Sequence, residues 1–502
     1  MLQKFFVFVT TTTLLMAAPA GAQDVASVLQ SAGEAMGNPE SLRSIQYSGA
    51  GWITNVGQSH TPNDDWPRFE VPEYTRSIDY ANGTSTESYT RRQGDYPPLG
   101  GGAPIVGEES RTLVTSGQNS WALNGETATP QPANAEVRQL DIWMSPHGFL
   151  KAAAAADDAS AVTLQLEGRE LIIVSFTAMN RFRVNGTINE DHHVERVLTW
   201  VPHPIFGDMI YDHRYTEYRV FGDFMLPTIL HSHQGDPRIH PGHNSMEIRV
   251  ANAVPNAAVG PVTVPDNVQA ATVPPVVVRS TEMADGVWRI SGGTHHSVAV
   301  EFNDFVAVVE APQNEARSSA VIAEVRQVIP DKPIRYVVNT HHHADHAGGL
   351  RTYVAQSATL ITHAANEDYY NDVLLHPGRR TLQPDILSSR MPWFSSNRVP
   401  SVEFVSDRHS VSDDERTMDI YSVLRLGHAG TMLIVHLPEE RILINADLYS
   451  PPAPGTATAQ ANDSMRSLAF NIEQLGLDVA RHVGVHGLVG THVDFLRIVR
   501  GE

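Results

Sequence analysis

Alternation of apolar and polar positions dominates the first half of the chain. After a short helical start at Val25–Met36, the runs Ser44–Trp52, Ala161–Phe176, His193–Trp200 and Tyr211–Phe221 alternate in this way, with Gly, Asn or Asp between them. That is the pattern of half-buried strands. Residues 23–250 therefore read as a mainly antiparallel, curved β domain with few helices, interrupted by long loops such as Gly94–Pro104 with its three consecutive glycines. Over 251–286 the period is lost. Pro255, Pro261, Pro265, Pro274 and Pro275 stand among Ala and Val, which describes an extended linker. From 287 to 502 the period alternates between strand and helix. Val298–Phe302 and Phe305–Val309 flank Asn303-Asp304 as a hairpin, and Glu315–Val328 places Val321, Ile322, Val325 and Val328 on one helical face. Arg335–Asn339 and Ala358–Thr362 read as buried strands, with a helix beginning near His346. Thr431–Leu437 and Arg441–Asn445 form a second hairpin. The second half is an α/β domain with sheets covered by helices.

The first residues have a different character. Lys4, the apolar run Phe5–Ala18 and the exit Ala20-Gly21-Ala22 describe a secretory signal peptide over residues 1–22. Its apolar run is shorter than the ~20 residues a spanning helix needs, and no later run is long enough for a stable membrane span. The expected location is periplasmic or secreted. A net charge of −20 makes the chain a poor nucleic-acid binder, since phosphate backbones require clustered cations. The absence of cysteine removes disulfides, thiolate ligands and a thiol nucleophile. Chemistry then falls to the 24 histidines and their carboxylate neighbours. The β-rich half resembles the half-barrel domains of exported lipoprotein carriers, which makes it a candidate for binding a lipid or an envelope partner.

One run concentrates the histidines. Asn339-Thr340-His341-His342-His343-Ala344-Asp345-His346-Ala347-Gly348-Gly349 follows a strand and opens a helix. On an extended segment His341 and His343 point one way and His342 the other. Two neutral imidazoles on one side make half of a zinc site. Past the turn, Asp345 and His346 present a carboxylate and an imidazole to a second ion, and Gly348 and Gly349 allow close backbone approach behind the loop.

The pattern His-x-His-x-Asp-His resembles the signature of the metallo-β-lactamase superfamily. Further motifs follow in the family's order: Gly427-His428 before a hairpin, Asp447 after it, and His486-Gly487 near the C-terminus. The resemblance implies a four-layered α/β/β/α sandwich following the β domain. It also implies a ligand set: His341, His343 and His428 on one metal, Asp345, His346 and His486 on the other, and Asp447 bridging. Asp345 and Asp447 are the catalytic carboxylates it implies, and two Zn2+ are the expected cofactors, with iron or manganese also suited to nitrogen and oxygen ligands. Where the family ends its first hairpin with aspartate, this chain has Glu310. His492 competes with His486, and His436 lies eight residues beyond His428, about 26 Å along an extended strand at ~3.3 Å per residue.

Tyr449, His295 and His363 are candidates for lining the substrate mouth, and Trp393-Phe394 for an apolar lip over it. In the first domain, His231-Ser232-His233 and His240-Pro241-Gly242-His243 have no carboxylate in register except Asp236, and they read as a turn region rather than a metal site. The expected function is an exported dinuclear-metal hydrolase of a small-molecule ester, lactone, thioester or phosphoester. β-Lactam cleavage, a mononuclear iron oxygenase of sulfur compounds and a non-catalytic lipid or partner carrier are the alternatives. For export the expected outcome is specific. N-terminal sequencing of secreted protein should begin at Gln23, whereas an intact Met1 on soluble cytoplasmic protein would contradict it.

Overall fold

A computed structural model describes residues 22–95, 99–102, 105–235, 243–375, 380–390, 400–453 and 460–502. The signal-peptide assignment falls, apart from Ala22, outside the described residues, as do Asp236, His240 and Trp393-Phe394. Among the described residues no helix is long and apolar enough to cross a membrane.

The N-terminal region is one large antiparallel sheet of 14 strands. It is built from two meanders, and its seam is the pairing of Asn244–Pro255 with Ser44–Thr54. At that seam a Cβ on Gly49 or Gly51 would lie 2.1 or 1.9 Å from the carbonyl oxygens of Arg249 and Glu247, so only glycine permits the approach. The ladder shifts register beside both glycines, which adds bend and twist where the halves join. The helices Val25–Met36, Ala135–Met144 and Pro146–Ala155 pack on the sheet, with Met36, Leu140, Met144 and Phe149 buried among Phe176, Val184 and Val197.

The expected strands are present with some different limits. Ala161–Phe176 is two strands, Ser160–Leu166 and Arg169–Ala178, turning at Glu167-Gly168 with both residues at positive φ. The apolar alternation runs through this tight turn, so periodicity alone does not reveal it. The proline-rich connector is shorter than 251–286. Its first proline, Pro255, is the last residue of the strand Asn244–Pro255, and Arg279–Ala284 pairs into the next sheet.

The C-terminal region has two sheets, of 7 and 6 strands. Val300, Val309 and Val338 of the first face Ile420, Val435 and Ile444 of the second in a fully buried core. Alternate residues point outward: Val306, Val308 and Val337 against Val321, Ile322 and Val325 of the helix Glu315–Val328, and Ile434 and Leu443 against Leu468, Ile472 and Phe495 of the last two helices. Burial on both faces explains the continuous apolar runs Val306–Val309 and Leu433–Val435. The layers are helix, sheet, sheet, helix.

Phe149 is seated on the large sheet by a missing side chain, because a Cβ at Gly186 would lie 2.0 Å from its ring. Gly186→Ala is expected to cost about 1–3 kcal/mol of stability through overpacking. Chemical denaturation checks this, and an unchanged midpoint would show that the ring moves freely.

Candidate metal centre

Where the strand Ile334–Val338 ends, Asn339–His343 forms a loop that bends at Thr340 and the helix Ala344–Ala347 begins, its first turn closed by amides of His346 and Ala347 on the His343 carbonyl. The rings of His341 and His343 meet while His342 turns to Ser59 and Thr431, and Asp345 and His346 lie in the first helical turn. Gly348 and Gly349 let this turn press on the neighbouring chain, where a Cβ on either would lie 2.0 Å from the Gln313 carbonyl or the Ser318 hydroxyl. His428 comes from the loop before Leu433–Leu437, Asp447 follows Ile442–Asn445, and His486 follows Arg481–Gly484. All meet on the crest of the two sheets.

They form two groups. His341, His343, His428 and Asp447 make one; His295, Asp345, His346 and His486 make the other, with ligand atoms in each within 4.8 Å of one another. These are the two such groups found among the described residues. Asp447 joins them. Its Oδ2 lies 3.2, 3.0 and 3.0 Å from Nε2 of His341, His428 and His346, and its Oδ1 lies 3.0 Å from Nε2 of His486. Asp447 and Glu310 both sit at positive φ, 57° and 76°, at the ends of strands. Side-chain contacts rather than local preference hold these conformations.

The proton positions define the chemistry. His343 Nε2 faces the Ser59 carbonyl at 2.8 Å and must donate to it, so Nδ1 carries the lone pair. The Thr340 hydroxyl donates to Glu310 at 2.5 Å and lies 3.0 Å from His341 Nδ1, which places the His341 proton on Nδ1 and the lone pair on Nε2. His341 Nε2 and His343 Nδ1 are nevertheless 2.9 Å apart. Two lone pairs at that distance repel, and neither ring has a second proton to share. Burial holds His341 down to about 4 and His343 well below its ordinary value, so both are neutral near pH 7. His428 Nε2 is likewise buried and faces the Asp447 carboxylate at 3.0 Å. A cation is what this donor set fits.

The second group follows the same logic with more charge. His486 Nδ1 donates to the Thr294 carbonyl at 2.9 Å, and its Nε2 lies 3.3 Å from His346 Nε2. His346 Nδ1 lies 3.5 Å from Glu310. Burial disfavours protonation of both rings, but the Asp447 carboxylate outweighs it and raises their pKa values. Asp447 itself is held well below the usual carboxylate range. Its burial acts the other way, and the imidazoles around it, His346 foremost, prevail.

The structure also places the other histidines. His295 lies in the second group, Nε2 3.3 Å from Asp345 Oδ2, with its carbonyl held by the buried Arg317 guanidinium at 2.8 Å. From the sequence it was a residue of the substrate mouth. His342 points away, to Thr431 and Ser59, and His363 bonds Ser422, outside both groups. His436 bonds the Asp478 carbonyl and His492 bonds His482. Tyr449 is 2% exposed, its ring against His482 and Phe495, so packing accounts for it rather than a substrate. In the first domain His233 meets His243 at 3.3 Å, while His231 is taken by Glu247 and Asn244. Sequence reasoning missed Gln58 and Ser59, whose bonds to the metal loop join positions more than 280 residues apart.

Residues 291–458 match the family model of the metallo-beta-lactamase superfamily, and the C-terminal region carries that family's fold. His486 lies beyond the matched stretch, as does the whole N-terminal sheet. No curated protein matches the chain. Similar solved structures include a metallo-beta-lactamase from Pontibacter korlensis, 15% identical over 45% of this chain and 100% of that one, with a TM-score of 0.32. The metallo-beta-lactamase FIM-1 from Pseudomonas aeruginosa, in its mono-zinc form, is 21% identical over 45% of this chain and 96% of that one, TM-score 0.32. Rubredoxin oxygen:oxidoreductase from Desulfovibrio gigas is 16% identical over 44% of this chain and 61% of that one, TM-score 0.33.

The geometry separates adjacent histidines. His343→Ala should cost one bound ion, while His342→Ala should keep the wild-type metal content and lose only stability, because His342 is 1% exposed with hydrogen bonds to two side chains. Metal analysis and thermal melting of both variants check this; metal loss in His342→Ala would contradict it.

Proposed function

We propose that this region, carrying the metallo-β-lactamase superfamily fold, works as a dinuclear-metal hydrolase of a small-molecule ester, lactone, thioester or phosphoester, exported by residues 1–22. One observation carries the reading: neutral imidazole lone pairs converge 2.9 Å apart in one group, and the Asp447 carboxylate reaches both groups, Oδ2 to His341, His428 and His346 and Oδ1 to His486. Zinc suits the all-nitrogen-and-oxygen donor set, and iron or manganese is tolerated by the same atoms. His341, His343 and His428 would hold one ion, and Asp345, His346 and His486 the other. When bound, such a pair supplies Lewis acidity and a water acidic enough to react near neutral pH.

The chain's own residues do the positioning. Asp447 ties the two groups together and brings negative charge to a site built of histidines. Glu310 receives Thr340, stands beside His346 Nδ1 and thereby orients a ring in each group. Asp345 keeps Oδ2 toward the second group while Oδ1 accepts a bond from outside it. Aspartate at position 447 is what the resemblance associates with thioesters, lactones and phosphoesters, since the family's β-lactamases mostly carry cysteine or serine there. This chain has no cysteine to offer.

Asp447→Ala should lower kcat by at least ~10²-fold, because orientation and electrostatic stabilisation fail together. Assay of the zinc-loaded wild type and variant against chromogenic esters, lactones, phosphodiesters and lactams tests the reading. Efficient cleavage of penicillins or carbapenems with no activity on the other classes would overturn it. One iron per chain with oxygen consumption would favour the oxygenase.

A further inference from the structure

The loop that follows the strand Ser44–Thr54 does not stop at the edge of its own sheet. Asn55–Thr61 lies directly on the metal loop. The Ala344 amide donates to the Gly57 carbonyl at 3.3 Å, His343 Nε2 donates to the Ser59 carbonyl at 2.8 Å, and Gln58 Nε2 donates to Asp345 Oδ1 at 2.7 Å. On the other side the Gly430 amide donates to the His60 carbonyl at 2.8 Å, in the loop that carries His428. A second segment braces the first. The Gly101 amide donates to the Gln58 carbonyl at 2.8 Å and the Gly100 amide to Gly427 at 3.0 Å. A Cβ on Gly101 would lie 1.9 Å from Gln58 Oε1 and 2.9 Å from His343 Cε1. Ser59 is 1% exposed and His343 fully buried, so water has no access to replace that pair, while Gln58 and Asp345 meet half-buried at the rim.

Each of these bonds selects a ligand atom. The Ser59 carbonyl takes the His343 proton and leaves Nδ1 for the first group. The Gln58 amide takes one Asp345 oxygen and leaves Oδ2 for the second. Outer partners of this kind orient the ligand and set its basicity, and losing one typically weakens metal binding about 10–100-fold. We infer that the N-terminal sheet is a working part of the metal centre, with Gln58 and the Ser59 carbonyl as positioning groups for one ligand of each ion. The inference rests on the dinuclear reading above. It also has a thermodynamic corollary. If docking of this loop favours metal binding, metal binding must favour docking by the same factor.

Gln58→Met, of similar size but without the amide, tests the side-chain arm in the full-length protein. Stepwise titration of the metal-free protein with Zn2+, and with Co2+ read by its visible spectrum, should show one ion weakened at least ~10-fold and the other within about twofold of wild type. The weakened ion should be the one lost in His486→Ala, and the metal-free variant should melt close to wild type. The corollary is read by amide hydrogen exchange: Zn2+ should slow exchange across 55–61 in the wild-type chain. Wild-type affinities for both ions in Gln58→Met, or exchange across 55–61 that ignores the metal, overturns the inference. A wild type that saturates at one ion contradicts the dinuclear reading instead, and the coupling is then judged on that ion by the same exchange measurement.

Discussion

The carbonyl of Thr294 takes the Nδ1 proton of His486, the carbonyl of Ser59 takes the Nε2 proton of His343, and the Thr340–Glu310 pair takes the Nδ1 proton of His341. Each ring thereby turns its other nitrogen inward; on His341 and His343, which burial keeps neutral, that nitrogen is bare, while on His486 the Asp447 carboxylate favours a proton. Such a cluster is unstable on its own terms, since facing acceptors repel and burial denies them water. The remainder of the C-terminal region can be understood as the frame that holds these acceptors together. Two sheets share one apolar core, and their strand ends place five loops on a single crest. Asp447 and Glu310 hold left-handed conformations there, a local cost sustained by the contacts around them.

The charge distribution divides the crest into unequal halves. His341 and His343 lie among other imidazoles and stay neutral, burial being the larger cause of their lowered pKa values. His346 and His486 stand against Asp447, and its carboxylate reverses the effect of burial on them. The first group thus offers uncharged donors, and the second offers donors that exchange a proton for a metal. Arg317 comes near but is used on the His295 carbonyl, which fixes that ring beside Asp345.

Much of this was legible along the chain because it is local. His341, His343, Asp345 and His346 fall within six consecutive positions whose strand-to-helix turn follows from simple spacing, and Val25–Met36 and Glu315–Val328 are helices over the expected residues. What the sequence hid is non-local. Ala161–Phe176 looked like one strand because alternation survives a two-residue turn. His295 could be placed near the site but not within a group, since that depends on Arg317 and Thr294 closing around it. The three glycines after Leu99 were visible as a loop, and their purpose was not. Only the fold brings Gly101 against Gln58 and His343. No periodicity marks Gln58 or Ser59, whose importance exists solely through a contact across the whole of the first domain.

The metal centre is therefore a property of both halves of the chain. The C-terminal sheets supply the ligands, and the N-terminal sheet supplies the acceptor or donor that fixes His343 and Asp345. The most direct test is anomalous diffraction from crystals of the full-length protein grown with Zn2+. Two peaks are predicted: one contacting His341 Nε2, His343 Nδ1 and His428 Nε2, the other contacting Asp345 Oδ2 and Nε2 of His346 and His486, with Asp447 touching both. A single peak, or a peak bound through His343 Nε2, would contradict the account.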